Sequence, residues 1–255
     1  MKVISIGSGS KGNSTLIQIA GVYVLVDNGF TLKETERRLP LSPREICAVL
    51  LTHDHSDHLC GVCDLARKYG IEVHMPDRLI HLRNTALKGA STLTHVDGEY
   101  NLGGIKVSQF RLPHDATYTV GYKLEGGGES FSIVTDVGQM REGVLKNILG
   151  TDFVMLESNY DTSMLDLGPY PPQLKKRIKG GLGHISNDIA GDTAVKLVES
   201  GTKTIVLSHI SENNNIPELA YDTVGKNLDA KGLKSALYFA EQNKIKFFDS
   251  VTIND

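Results

Sequence analysis

The apolar positions of this chain fall first into short β-branched runs and later into helical stripes. Lys2–Gly7, Thr15–Ala20 and Val22–Asp27 read as strands, each bounded by turn residues. Leu32–Leu39 and Asp57–Tyr69 carry apolar residues at helical spacing, and Gly70 stops the second before a strand at Ile71–Met75. A helix over Asp77–Lys88 leads to strands at Leu93–Val96, Ile105–Leu112, Tyr118–Leu124 and Phe131–Thr135, so the middle reads as a β-rich meander. The pattern then alternates: helix Arg141–Leu149, strand Phe153–Glu157, helix Asn187–Ser200, strand Thr204–Ser208, helix Pro217–Ala230, and strands at Ser235–Ala240 and Ile245–Phe248. Two such halves can pack sheet against sheet with helices outside, which predicts an α/β chain. No internal repeat, low-complexity tract or linker divides it, so residues 1–255 are expected to form one domain.

Composition narrows this picture only a little. A formal net charge of −3 does not decide about nucleic acid, because phosphate binding needs only a local basic surface. The N-terminus lacks the 7–15-residue apolar core of a signal peptide, and no segment approaches a membrane span, so a cytoplasmic protein with no membrane partner is expected. Cys47, Cys60 and Cys63 are too few and odd in number for a disulfide framework. Cys60 and Cys63 fall in register with Leu59, Val62, Leu65 and Ala66 and read as packing residues.

The chemistry begins at His53-Asp54-His55-Ser56-Asp57-His58, entered directly from the apolar run Ile46–Leu51. His53 and His55 are two apart and can point the same way from an extended backbone. Asp57 and His58 follow a half-turn later and can reach a second cation. Imidazoles and a carboxylate without thiolates suit zinc, manganese or iron in an open site, better than a closed structural zinc site. His114, Asp136 and His209 each follow a predicted strand, and ligands at strand ends can converge on one sheet edge. Together these make enough donors for two divalent cations sharing a carboxylate.

Other features leave alternatives open. The loop Ser8–Ser14 could offer backbone N–H groups, with Asn13 and Ser14, to a phosphate, or simply turn a hairpin. Lys175, Lys176, Arg177 and Lys179 could grip a polyanion with Tyr170 stacking on a base, or form a solvated helix face. His184 lies just before a helix N-terminus and could carry a proton or fix its loop. His74, His81 and His95 have no motif around them and read as structural or exposed.

The order His-x-His-x-Asp-His, His, Asp, His resembles that of the metallo-β-lactamase-fold hydrolases. The resemblance implies an αββα sandwich of two mixed sheets with helices on both outer faces. It also implies His53, His55 and His114 on one metal, Asp57, His58 and His209 on the other, Asp136 bridging, and Asp27 supporting a ligating histidine from beneath. By similarity to the tRNA 3′-processing members, His184 would protonate the departing oxygen, oriented by Glu157. Asp57, Glu157 and His184 are therefore the catalytic candidates.

The segments Ser8–Ser14, Glu157-Ser158-Asn159, Gly168-Pro169-Tyr170-Pro171, Gly183–Asn187 and His209-x-Ser211-x-x-Asn214-Asn215 resemble the YycJ/WalJ family over nearly the whole chain. That family is associated with 5′-to-3′ exonuclease action on DNA. The resemblance thus implies a phosphodiesterase using a metal-bridging hydroxide, with Zn²⁺ or Mn²⁺, or Fe, and DNA favoured over RNA. Asn13, Ser14, Asn159, Tyr170, Lys175, Lys176, Arg177, Ser211, Asn214 and Asn215 are the candidate substrate contacts. The alternative is a hydrolase of small esters, lactones or cyclic phosphodiesters on the same metals, with a closed, apolar pocket. A flavin-linked di-iron role fits poorly, because that scaffold would have Glu where this chain has His55. No flavin or nucleotide cofactor is expected, and the sequence leaves the oligomeric state open.

Overall fold

In the computed structural model, which describes residues 1–90 and 92–249, the strands form two seven-stranded sheets. The chain runs β1 (Lys2–Gly7), β2 (Ser14–Ile19), β3 (Val22–Val26), α1 (Leu32–Arg38), β4 (Ile46–Leu50), α2 (Ser56–Leu59), α3 (Val62–Tyr69), β5 (Glu72–Pro76) and β6 (Leu93–Val96). It continues with β7 (Glu99–Leu102), β8 (Ile105–Leu112), β9 (Thr119–Gly126), β10 (Glu129–Val134), α4 (Glu142–Ile148), β11 (Phe153–Glu157), α5 (Thr162–Leu167), α6 (Pro172–Lys179), α7 (Asn187–Glu199) and β12 (Thr204–Ser208). The final elements are α8 (Pro217–Asp229), β13 (Ala236–Phe239) and β14 (Lys246–Asp249).

Sheet order is β14-β1-β2-β3-β4-β5-β6 in one sheet and β13-β12-β11-β10-β9-β8-β7 in the other. β1–β3 and β7–β10 are antiparallel meanders, whereas β3–β6 and β10–β12 pair in parallel. Each half of the chain therefore begins as a meander and ends in crossovers. This differs from the sequence expectation of a β-rich part followed by an α/β part. The short strand β7 and helix α5 were not predicted as elements, and α6 forms the helix that was one of two readings of the Lys175–Lys179 run.

Between the sheets lies a core built from Val3, Ile17, Val24 and Leu50 on one side and Val107, Tyr122, Phe131, Met155 and Val206 on the other. Helix α3 closes the outer face of the first sheet through Leu65 and Ala66. Helices α4, α7 and α8 cover the second through Val144, Ile148, Ala194, Leu197 and Val224. These four layers are the predicted αββα sandwich. Tyr122 also donates its hydroxyl to Leu51 O at 2.7 Å, and Val120 N donates to Thr52 O at 3.1 Å, tying the second sheet to the entry of the histidine motif.

The helix expected over Asp57–Tyr69 is two helices with a joint at Cys60 and Gly61. The Asp57 and His58 carbonyls, which a continuous helix would use internally, accept instead from Asn13 N and Asn28 N, each at 2.8 Å. Gly61 N donates to Asn28 O at 2.9 Å, and a Cβ there would lie 1.9 Å from Phe30 O. The break thus lets the loops before β2 and after β3 press against the motif. It also turns Cys60 out to solvent, so the packing reading fails for Cys60, while Cys63 does pack against the outer core. The expected helix Asp77–Lys88 is a 3-10 helix over Asp77–Asn84.

Candidate active site

The histidine motif leaves β4 at the seam between the sheets, where strands from both deliver the remaining groups. His114 follows β8, Asp136 follows β10 and His209 follows β12. Asp27 (φ 58°), Asp136 (φ 59°) and His209 (φ 52°) adopt left-handed backbone conformations. Asp and His tolerate that region better than branched residues do, at roughly 1–2 kcal/mol each. Such local cost concentrates where a side chain must be aimed. Here it turns each residue out of its strand and into the seam.

All seven predicted ligands come together. His53, His55 and His114 form one group whose donor atoms lie within 4.8 Å of one another, and Asp57, His58 and His209 form another. Asp136 lies between them: its Oδ2 is 3.0 Å from His58 Nε2, while its Oδ1 is 3.4 Å from His114 Nε2 and 3.7 Å from His209 Nε2.

The surrounding hydrogen bonds settle which ring nitrogens face the cluster. Asp27 Oδ2 accepts from His58 Nδ1 and from Thr52 Oγ1, both at 2.7 Å, and Asp27 Oδ1 accepts from Thr52 N at 2.8 Å. With its only proton given to Asp27, the Thr52 hydroxyl can accept from His53 Nδ1, 3.0 Å away. His114 Nδ1 donates to Gly183 O at 3.1 Å. His53, His58 and His114 therefore all present Nε2 inward. His53 Nε2 and His209 Nε2 are buried without a hydrogen-bond partner among the described residues. Buried imidazole lone pairs and carboxylates, anchored from behind in this way, are the donor set of a divalent-cation site.

Electrostatics agree with that reading. Burial pushes His53 and His114 below the ordinary histidine range. Burial also opposes a charge on His58, but Asp136 and Asp27, one at each ring nitrogen, outweigh it and raise His58 to about 10. His209 is likewise raised against burial by Asp136, Asp57 and Glu157. Burial would raise Asp136, yet His209 and His58 hold it well below the carboxylate range. A proton on His58 Nε2 takes the position a cation would use, so the two compete there.

Beside the cluster, His184 Nδ1 donates to Glu157 Oε1 at 2.6 Å, and Glu157 Oε2 accepts from Val137 N at 2.7 Å. Glu157 is fully buried and, despite burial, is held below its ordinary pKa by His184. His184 is partly exposed and opens onto a cavity of about 170 Å³ lined by Asp115, Asn159, Tyr170, Arg177, Ser211 and Asn214, among others. Five of the candidate substrate residues thus share one cavity with His184.

The other candidates have different surroundings. Ser14 is buried and donates its hydroxyl to Asp27 O. Asn215 is locked with Asn187 and Ser158 O beneath the cavity. Asn13 contacts Asp57 and His58 directly. Lys175 and Lys179 turn back onto Asp166, and Arg177 pairs with Asp115, which leaves Lys176 as the exposed cation of the run without a partner among the described residues. Thr52, Asp115 and Gln242 escaped the sequence reading. The first two flank ligands in sequence, a usable signal, whereas nothing local marks Gln242. Of the unassigned histidines, His74 is buried and stacks on Tyr100, and His81 is half-exposed near Asp54.

Residues 23–210 match the beta-lactamase superfamily domain. The chain is 32% identical over 234 residues to exodeoxyribonuclease YycJ of Bacillus anthracis, covering 89% of each chain. It is 32% identical over 236 residues to exodeoxyribonuclease WalJ of Streptococcus pneumoniae, covering 88% of this chain and 86% of the relative. Solved structures with the same fold include the metallo-beta-lactamase fold protein YhfI of Bacillus subtilis, with a TM-score of 0.75, 16% identity and coverage of 97% and 99% of the two chains. The short form of human tRNase Z matches with a TM-score of 0.68, 16% identity and coverage of 99% and 100%. The chain is therefore a metallo-β-lactamase-fold hydrolase and belongs to the YycJ/WalJ family.

Proposed function

We propose that the protein is a cytoplasmic exodeoxyribonuclease that degrades DNA from the 5′ end on a site for two divalent cations. The observation that carries the phosphodiesterase reading is the His184–Glu157 pair, 2.6 Å apart and set against the ligand cluster. The choice of DNA rests on the relatives named exodeoxyribonucleases, which the chain matches along most of its length.

His53, His55 and His114 would hold one cation and Asp57, His58 and His209 the other, with Asp136 between them. When bound, such cations supply water that is activated near neutral pH and positive charge against phosphate oxygens. Nitrogen and oxygen donors accept zinc, manganese and iron alike. The chain itself handles the proton on the leaving side. Because His184 Nδ1 faces Glu157, its Nε2 is the atom left to deliver a proton to the departing 3′ oxygen. Buried Glu157 fixes the ring's orientation.

The cavity beside His184 is lined by amides, hydroxyls, an Arg–Asp pair and a tyrosine, a surface suited to a nucleotide. That polarity supports the nuclease over the small-ester alternative, which requires an apolar pocket. Three unbridged thiols are consistent with the proposed reducing compartment.

The test is digestion of duplex DNA labelled at either end, with Mn²⁺ added. The expected result is early release of the 5′ label as a mononucleotide by wild-type protein and none by Asp57→Ala. Equal inertness of both proteins would remove the nuclease reading, and early release of the 3′ label would remove the polarity.

A further inference from the structure

We propose that Asn13, held from behind by Gln242, positions the Asp57 carboxylate within the His58/His209 group. The inference rests on the two-cation reading above and adds the device that shapes one of its halves. Asn13 is 7% exposed and closes onto its own loop: Oδ1 accepts from Gly9 N at 2.8 Å and Nδ2 donates to Gly9 O at 2.9 Å. That pairing fixes which way the amide faces, since the Gly9 N–H requires an acceptor. The NH₂ group therefore points into the cluster, where an oxygen would have been a ligand. Its second proton is aimed at Asp57 Oδ2, 3.2 Å away, and Nδ2 lies 3.0 Å from His58 Nε2. Asp57 Oδ2 is also the carboxylate oxygen that approaches His58 Nε2 and His209 Nε2. Asn13 thus acts as a positioning residue that holds this oxygen in place without coordinating.

The loop does not hold itself. Gln242, on the turn between β13 and β14 and also 7% exposed, accepts from Lys11 N at 2.7 Å and donates to Gly12 O at 2.8 Å. A Cβ at Gly9 would lie 2.7 Å from Gln242 Oε1, so the side chain is seated against the loop backbone with no slack. On the same loop, Ser8 Oγ accepts from His209 N at 2.8 Å. All three members of the Asp57/His58/His209 group therefore touch one short segment, and Gln242 is the clasp on it. Among the described residues, this loop makes no hydrogen bond to His55 or His114, and His114 is anchored instead on Gly183 O.

The prediction is selective. Metal-free protein is titrated with Co²⁺ alone, and both stoichiometry and the visible absorption of each bound equivalent are followed. Asn13→Ala is expected to weaken one equivalent by about 10- to 100-fold while the other keeps its affinity and spectrum. Gln242→Met, which preserves volume but removes both hydrogen bonds, is expected to weaken the same equivalent. The double variant is expected to be no worse than Asn13→Ala, because both changes act through one loop. Wild-type affinity for both equivalents in folded Gln242→Met, equal weakening of the two, or additive losses in the double variant would overturn the inference. If Asn13→Ala does not fold, Gln242→Met decides the matter alone. A wild-type protein that never takes up a second equivalent would instead refute the two-cation reading on which the inference rests.

Discussion

Asp27 accepts the Nδ1 proton of His58 at 2.7 Å while taking two more hydrogen bonds from Thr52. Three donors converge on one buried carboxylate, so an amide cannot replace it. In Asp27→Asn an NH₂ would confront at least one of those donors, and His58 would be released to turn its other nitrogen outward. We expect cation affinity to fall by about 10- to 100-fold, as for other residues that orient a ligating histidine. Equilibrium dialysis of wild type and variant against Zn²⁺ measures this directly.

His184→Gln should lower the turnover of unactivated phosphodiesters by roughly 10²- to 10⁴-fold, the usual worth of a positioned proton donor. A p-nitrophenyl ester leaves without help from a proton, so the loss should shrink sharply on that substrate. Metal content should not change. Turnover of the two substrate types, with metal analysis of the same preparations, checks all three statements.

Acid should strip the site of metal. His58 is raised to about 10, so it is protonated at neutral pH before a cation arrives, and neighbouring carboxylates raise His209 in the same direction. That proton must leave as the cation enters. Affinity therefore climbs with pH up to about 10 at His58 and falls as pH drops, with proton release on loading. Calorimetry in buffers of differing ionisation enthalpy reads the number released.

Gly61→Ala should destabilise the fold by at least about 1–3 kcal/mol, the range for forcing atoms into a packed interior. The added methyl would lie 1.9 Å from Phe30 O at the joint between α2 and α3. Because that joint sets the angle of Asp57 and His58, metal affinity should fall with stability. Urea unfolding of metal-free protein separates the two effects.

Lys176→Ala should reduce the slope of log affinity against log salt for DNA by about one unit if this exposed cation meets a phosphate. Lys179→Ala should change it less, because Lys179 is already paired with Asp166. Binding isotherms at several salt concentrations, with catalysis blocked by Asp57→Ala, distinguish them.

The convergence of the seven candidate ligands was legible because their pattern is local: a dense His/Asp motif after one strand, and single His or Asp residues after three others. The four layers followed from strands and stripes long enough to show a period. Glu157 and His184 became interpretable only through resemblance, since each alone is an ordinary strand end and loop. The pairing of Arg177 with Asp115 and of Lys179 with Asp166 stayed hidden, because charge is visible in sequence whereas its neutralisation across the fold is not. The joint at Gly61 was hidden for a related reason, the helix being interrupted by donors from Asn13 and Asn28.

The clasp between Gln242 and the loop at Gly12 joins residues 230 positions apart in the chain. Contacts of such separation carry the greatest closure cost and form late. The brace on the Asp57/His58/His209 group should accordingly be completed late, and a chain halted short of the last two strands would lack the clasp that seats the loop against that group.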